Sequence, residues 1–493
     1  MSRLLAIQYK WLVAIVFICG LSMELLDTTI VNVALPTLSR QFHTSNVTLE
    51  WVVTGYLLSL AVWIPASGWL GDRFGTKRIF LFAIAMFTLG SVLCATSWSI
   101  DSLIFFRVLQ GVGGGMLTPV GTAMLYRAFT PYERAQASAV LMIPIAIAPT
   151  IGPILGGFLV DFASWHWIFL INLPVGIFTF FIAASALKEH TEDNVGRFDV
   201  PGFLLSASGL PLILFGLTKA PEKGWFSAWS IGPMIAGALL MVTLVIVETR
   251  TAAPLLTLRL FGNRMFRNAN IVNSVVTAGF TGAVFLLPLF LQELRGLSAF
   301  KSGLTTFPQA LGLMVVSRFA AKLYPKLGPR RMAAMGMLGG AITTIPFLFF
   351  DTESSLWLIR IVMFTRGLTM GFGIIPINAA QFSTISRADS GRASALVSTN
   401  RQVASSVGVA VVATILTERT VAHIHAAGAA ASQSAVLHAG VLGYRDAYLG
   451  VIMLSLVGVV FALRIKDEDA VASMRPAVAE PSAESGETPA FAH

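Results

Sequence analysis

Apolar stretches of about 20 residues, the length that crosses a hydrocarbon layer as a helix, recur along the chain with short polar breaks between them. The pattern predicts fourteen transmembrane helices, over residues 11–34, 51–71, 78–98, 103–124, 136–160, 167–187, 200–218, 229–249, 270–292, 303–324, 331–350, 357–381, 395–417 and 446–464. The expected fold class is all-α and integral to the membrane, with two six-helix bundles plus two inserted helices. The boundaries that follow are 1–187 for the N-terminal bundle, 188–268 for the inserted pair with its linkers, and 269–466 for the C-terminal bundle. Residues 467–493 are polar and rich in Ala, Pro and Glu, which predicts a disordered tail. Residues 418–445 form an outward segment rich in Ala, Ser and His.

The breaks carry a sign. "DRFGTKR" (72–78), "ETRTAAPLLTLRLFGNRMFR" (248–267) and "RFAAKLYPKLGPRR" (318–331) fall on one side of this layout and gather much of the Lys and Arg. Basic loops stay in the cytoplasm, so both termini are expected there, in a multi-pass protein of the cell membrane. Two of the breaks also match each other. "LGDRFGTKR" (70–78) aligns with "LYPKLGPRR" (323–331), pairing Leu70 with Leu323, Arg73 with Lys326, Gly75 with Gly328, Lys77 with Arg330 and Arg78 with Arg331. A duplicated half of this kind is a common building plan of membrane transporters.

Composition narrows the picture further. Of 493 residues, 55% are hydrophobic and 12% charged, and the mean hydropathy is +0.75, values outside the range of soluble domains. The net charge of +9 resides in turns and not in a basic stripe interleaved with aromatics, so no nucleic-acid partner is expected. The first twenty residues have a basic start and an apolar core but no small-x-small cleavage site after them, so they read as a retained span. Cys19 and Cys94 lie within apolar segments and imply no disulfide framework. His423, His425 and His438 sit in the Ala-rich segment without carboxylate or cysteine spacing, so neither a metal nor another cofactor is expected. "GVGGG" (111–115) has no preceding strand and is no phosphate loop.

In the first half three charged residues stand where hydrocarbon is expected, and in the second Arg366 and Arg401 do so among spans with no interior Asp or Glu. Glu24 and Asp27 are three apart in the first span and share a helix face with Thr28 and Val31. An ionised acid at mid-membrane costs about 2.5–3.5 kcal/mol on insertion scales, and two neighbouring anions repel, which makes the pair a candidate for holding a proton. The competing reading is an acid that reaches the outer surface or forms a static ion pair. Arg107 lies in the fourth span, followed on its face by Gly111, Gly114, Gly115 and Thr118, small residues that admit a close neighbour. A buried guanidinium needs an anion or several acceptors. Asp27 or Glu24 is one solution, and backbone carbonyls with Gln110 are the other. Prolines 144, 149 and 153 with glycines 152, 156 and 157 predict a bent fifth span suited to close packing.

In order and spacing, "LLDTTIVNVALP" (25–36), "GWLGDRFGTKR" (68–78), "RVLQGVGGG" (107–115), "PTIGPILGG" (149–157) and "WHWIFLINLPVG" (165–176) resemble the motifs of a known family. It is the fourteen-span drug:proton antiporters of the major facilitator superfamily, and "STNRQVASSVGVAVVATIL" (398–416) extends the likeness into the second half. The resemblance implies the major facilitator fold and roles for particular positions. Asp27 would be the proton-coupling acid of the first span, with Glu24 beside it, and Arg107 the arginine associated with proton transfer. Pro149, Gly152, Pro153, Gly156 and Gly157 would form the antiporter motif. Gly68, Asp72, Arg73, Gly75 and Lys77 would form a cytoplasmic gate, whose aspartate meets a helix N-terminus of the opposite half. Two departures stand out: Ala148 where that motif often has glycine, and Pro325 where the second-half gate would carry an aspartate.

The function expected is a proton-coupled antiporter, not an enzyme, exporting amphipathic drugs or other small toxic compounds by alternating access. Phe17, Met23, Asn32, Phe285, Gln292, Asn378 and Asn400 are the candidate lining of its cavity. The expected partners are protons, a small-molecule substrate and bilayer lipid, with a monomer as the transport unit. The likeness leaves room for a periplasmic adaptor, for which the chain shows no docking signature. A transporter of one metabolite, amino acid or siderophore is the nearest alternative, because a fold does not fix its cargo. A non-transporting receptor or adaptor subunit is a more distant one.

Overall fold

The computed structural model describes residues 8–193, 195–427 and 433–475, and among these the regular structure is helical, without strands. The first half holds α1 (Tyr9–Phe42), α2 (Asn46–Phe74), α3 (Thr76–Ala95), α4 (Ile100–Ala128), α5 (Arg134–Phe162) and α6 (Asn172–Ala186). An inserted hairpin follows, α7 (Val200–Lys223) and α8 (Ala228–Arg250). The second half holds α9 (Arg264–Leu289), α10 (299–327), α11 (329–344), α12 (Leu356–Ser383), α13 (Ser390–Ala427) and α14 (Gln433–Ala462). Among the described residues, twelve helices are individually long and apolar enough to cross a membrane. One of these, Ala299–Leu348, is two spans joined at Gly328, and α5 supplies another, so each predicted span has its helix.

Polar residues mark where the helices begin. The Ser45 hydroxyl accepts from the Thr48 amide, Ser99 and Ser102 close a capping box on α4, and Asp199, Asn263 and Ser298 cap α7, α9 and α10. Each of these side chains satisfies a backbone donor that the first helical turn leaves open. The Ala-rich segment predicted as an outward loop is largely helical, because α13 runs to Ala427 and α14 starts at Gln433. Alanine is the strongest helix former, and no glycine or proline interrupts the described part before Gly440. Here Arg419 and His423 both reach the Asp446 carboxylate, at 2.6 and 2.9 Å.

The turns α2–α3, α4–α5, α6–α7, α8–α9 and α10–α11 gather at one end of the bundle, termed here the basic face. Towards that face the buried apolar side chains form one continuous cluster through both halves, from Phe17 and Phe80 to Met332 and Phe382. Towards the opposite face they separate. One cluster, with Leu38, Val52 and Trp165, belongs to the first half; another, with Phe290, Phe347 and Tyr448, belongs to the second. The two halves are therefore sealed together at the basic face and parted at the other. The α7–α8 hairpin lies on the flank where α2 meets α13, tied by Lys219 to Glu50 at 2.5 Å and by the Trp225 indole to Thr414 at 2.8 Å.

The internal repeat has a physical counterpart. Gly75 (φ 103°) and Gly328 (φ 73°) both join consecutive spans in backbone conformations that L-residues avoid. In each half an acid just beyond the last span caps the helix that starts there. Glu189 accepts from the Lys77 and Arg78 amides at 3.0 and 3.2 Å, and Asp467 accepts from the Arg330 amide at 2.9 Å. The tail predicted from 467 is thus folded at its beginning. Asp467–Ala470 and Val471–Met474 are helical turns, Ser473 bonds the Tyr324 hydroxyl at 2.7 Å, and the segment packs on the turn Pro131–Glu133 of the other half. Arg264 at 2.6 Å holds the Asp469 carboxyl below the usual carboxylate range. Burial raises Glu133, but Lys10 at 2.5 Å and Thr130 more than offset it, leaving that acid below its ordinary value. Residues 476–493 of the predicted tail lie outside the described residues.

Replacing Gly328 with alanine should destabilise the protein by about 1–3 kcal/mol, because the added Cβ meets the Asp467 carboxylate and the backbone suits only glycine. Thermal unfolding of the detergent-solubilised protein would show a lowered Tm; an unchanged Tm would refute the capping arrangement.

Candidate functional site

Asp27 is fully buried in the middle of α1, at 0% exposure. Three side chains donate to it: Arg107 Nη1 at 2.5 Å and Gln110 Nε2 at 2.9 Å from α4, and Asn172 Nδ2 at 3.1 Å from the start of α6. Arg107 is equally enclosed. Its Nε donates to the Val52 carbonyl at 3.1 Å, its Nη1 also reaches Gln110 Oε1 at 2.7 Å, and the Tyr56 ring lies 4.0 Å below its guanidinium. Such a pair survives burial because both charges are hydrogen-bonded as well as paired. Of the solutions open to Arg107 in the sequence, the structure uses Asp27, a carbonyl and Gln110 together.

Glu24 occupies a different setting. It is half-buried and accepts from the Thr118 hydroxyl at 2.6 Å, while Arg401 on α13 of the opposite half lies within range of its charge. Exposure then rises along the α1 stripe, from half-buried Glu24 and Thr28 to exposed Asn32. The two acids of one stripe therefore face different partners: one is locked inside a bundle and the other looks across the seam between bundles.

The glycines of α5 set α1 in place. A Cβ at Gly152 would overlap Thr29 Oγ1, and one at Gly156 would lie 3.1 Å from the Ile30 carbonyl, whereas Gly157 faces open space. Thr29 also bonds the Ala148 carbonyl at 3.3 Å, tying the two helices next to Asp27. Pro153 is half-buried, and the backbone stays helical through 149–157; the Pro149 side chain lies outside the described residues.

At the basic face, Asp72 is 1% exposed and accepts from Arg127 at 2.8 Å, with Arg392 at 4.0 Å. Its carboxylate rests against Gly391 in the first turn of α13, and a Cβ at Gly68 would come within 2.9 Å of the Gly391 carbonyl. Across the same seam Arg127 donates to the Arg387 carbonyl at 3.0 Å, Arg134 donates to that of Phe382, and the Tyr126 and Phe382 rings stack at 4.2 Å. Gly75 forms the turn, and Lys77 Nζ ties it to the Ala184 carbonyl at 2.6 Å, while Arg73 is exposed.

The proposed cavity residues scatter. Phe17 and Met23, at 1% exposure each, pack in the core and line no open space in this state. Asn32 and Gln292 are exposed, and Phe285 is half-buried against the second-half cluster. Asn400 bonds Ser274 at 2.8 Å, and the Asn378 carbonyl accepts from Tyr126 at 3.4 Å. Sequence reasoning missed Asn172, Ser91 of α3, which accepts from Asn172 at 3.1 Å, Tyr56 and the placement of Arg401. Asn172 and Arg401 were available as polar residues in apolar spans, Asn172 within the quoted "WHWIFLINLPVG". Nothing in the sequence marks the ring of Tyr56.

An acid paired with an arginine inside one bundle, bonds that join the two bundles at the basic face and a duplicated half characterise the chain, and residues 16–409 match the Major Facilitator Superfamily. The chain belongs to that superfamily. It is 37% identical over 395 residues to the multidrug resistance protein B homolog of Mycobacterium tuberculosis (strain ATCC 25618 / H37Rv), covering 79% of this chain and 73% of that protein. Its identity to MdtD of Salmonella heidelberg (strain SL476), whose name also carries multidrug resistance, is 34% over 407 residues, 82% of this chain and 85% of the relative. The human organic anion transporter MFSD10 (TETRAN) shares the fold, with a TM-score of 0.64 at 15% identity over 92% of this chain and 99% of that one. As a facilitator, the chain is a multi-pass membrane transporter of small molecules and not an enzyme.

Two alanine substitutions separate packing from mere motif membership in this facilitator. Gly152→Ala should lower the Tm and transport together, because α1 and α5 must part near Asp27; Gly157→Ala should leave both within error. Equal losses at the two sites would contradict the α1–α5 contact.

Proposed function

We propose that this protein is a proton-coupled antiporter that exports amphipathic drugs or related toxic compounds across the cytoplasmic membrane. The observation that supports this most is the enclosed Asp27–Arg107 pair, a charge that no packing requirement explains and that a proton would dismantle. The multidrug names of relatives at 34–37% identity favour drugs over one metabolite.

In this reading the basic face is cytoplasmic, by the bias of Lys and Arg, and the state described is closed inside and parted outside. A proton entering from the outer side passes the half-buried Glu24 and neutralises Asp27. Arg107 then loses its anion but retains Val52 and Gln110, so the grip of α1 on α4 and α6 slackens. The Asp72 latch and the Arg127 and Arg134 bonds release at the inner face, and the halves rock about the cavity. Substrate arrival and proton loss to the cytoplasm reverse the change. One proton moving down 100 mV supplies about 2.3 kcal/mol and one pH unit about 1.4, enough for a gradient of a few hundred-fold per proton.

Asp27→Asn should abolish pH-driven uptake of a cationic dye into inverted vesicles while the protein remains inserted. Full uptake by that variant would remove Asp27 from the mechanism, and ATP-dependent uptake after collapse of the gradient would refute the energy source. Asp72→Ala should shift the population away from the inner-closed form, raising several-fold the labelling of a cysteine placed beneath the gate. Labelling equal to that of the parent would refute the latch.

A further inference from the structure

The internal repeat places a second arginine where the first half has Arg107. "RVLQGVGGG" (107–115) on α4 corresponds to "RGLTMGFGI" (366–374) on α12, and Arg366 is likewise enclosed, at 2% exposure. The register that pairs Leu70 with Leu323 also sets Gln309 of α10 where Tyr56 lies in α2. In the first half Tyr56 covers Arg107. In the second, Gln309 Oε1 accepts from Arg366 Nη1 at 3.0 Å.

The resemblance ends at the anion. No Asp or Glu occurs in α10, α11 or α12, and α13 has only Glu418, far beyond the level of Arg366. The carboxylates of the neighbouring α9–α10 turn and α14 are engaged elsewhere: Glu293 by the Tyr444 hydroxyl, Asp446 by Arg419 and His423. Arg366 Nε and Nη2 have no hydrogen-bond partner among the described residues. Nor has the buried hydroxyl of Tyr448 on α14, the electrostatic neighbour of Arg366. A buried donor without an acceptor costs about 1–3 kcal/mol, more when charged, so two on one guanidinium require an explanation.

The identity of the two nitrogens supplies it. Nε and Nη2 form the side-on edge of a guanidinium, whose parallel N–H bonds match the two oxygens of a carboxylate. A narrow cleft of about 10 Å³, lined by Phe290, Phe347, Phe350, Tyr444, Arg445 and Tyr448, opens beside Tyr448. It combines aromatic walls with a second cation, Arg445.

We propose that Arg366, with Gln309 and Tyr448, binds the carboxylate of the transported compound, so that the cargo includes acids and zwitterions as well as neutral and cationic compounds. This rests on the export reading for the word cargo; the binding itself does not depend on proton coupling. The fork is covered in this state, so binding accompanies movement of Tyr448 and widening of the cleft.

The test uses purified full-length protein in nanodiscs and three probes: 1-naphthoate, its methyl ester, and formate as a free small carboxylate. Naphthoate should raise the Tm of the parent by about 2–3 °C at a hundredfold excess over its Kd, and the ester should not. Arg366→Gln should abolish the shift. Gln309→Glu provides Arg366 with a carboxylate of its own, so it should abolish the shift without lowering the starting Tm; this variant decides the matter if Arg366→Gln does not fold. Formate as effective as naphthoate would support the same site filled from solution. Equal shifts from acid and ester, or a full shift in Gln309→Glu, would overturn the proposal. Naphthoate binding together with undiminished pH-driven export by Asp27→Asn would leave this site standing and refute the coupling instead.

Discussion

The ion pair between Asp27 and Arg107 is the constraint around which the first half is arranged. Two charges removed from water at the centre of a bundle are tolerated only if they are hydrogen-bonded as well as paired, and breaking such a pair typically costs about 3–5 kcal/mol. Gln110, Asn172 and the Val52 carbonyl supply those bonds, so α1, α2, α4 and α6 must meet at one point. The glycines of α5 answer the same demand from behind, letting that helix press against Thr29 and Ile30, the residues just beyond the acid. Close packing and charge are one problem here, since α1 cannot shift relative to α4 without exposing or unpairing a charge.

The two halves repeat a scaffold but not its chemistry. Both use a positive-φ glycine between spans and an acid after the last span to cap the next helix, as Gly75 with Glu189 and Gly328 with Asp467 show. Only the first half has the aspartate that reaches across the seam. Pro325 occupies the equivalent position, and the contact from that side is made by the segment Val471–Met474 on the Pro131–Glu133 turn. The closure at the basic face therefore rests on one buried carboxylate, two arginines bonded to carbonyls and a stacked pair of rings, an assembly of modest individual bonds.

Much of this was legible in the sequence, for reasons of length and solvent. A helix must satisfy its own backbone in lipid, so apolar runs separated by basic turns give the spans directly. Asp27 and Arg107 stood out because charge is expensive there, and Asp72 because its turn resembles a family motif. What stayed hidden depended on rotation and distance. Asn172 is an ordinary polar residue until the turn before α6 brings it to Asp27, and Ser91 of α3 until Asn172 bonds it. Phe17 and Met23 share the apolar character of cavity linings, and only packing reveals that they face the core. The Ala-rich stretch read as a loop because hydropathy falls there, although helix propensity does not. Acids near 467 suggested solvent, yet they cap a helix and bind Arg264.

The inserted hairpin has a bearing on traffic through the bilayer. Because α7 touches both α2 and α13, with Trp225 pinned to Thr414, that flank is screened from the surrounding leaflets. A greasy molecule diffusing sideways meets a wall there, whereas among the described residues no helix covers the seam of α5 and α10 in that way. Any doorway for lipid-dissolved compounds thus belongs to one side of the molecule, and the two added spans make the route asymmetric.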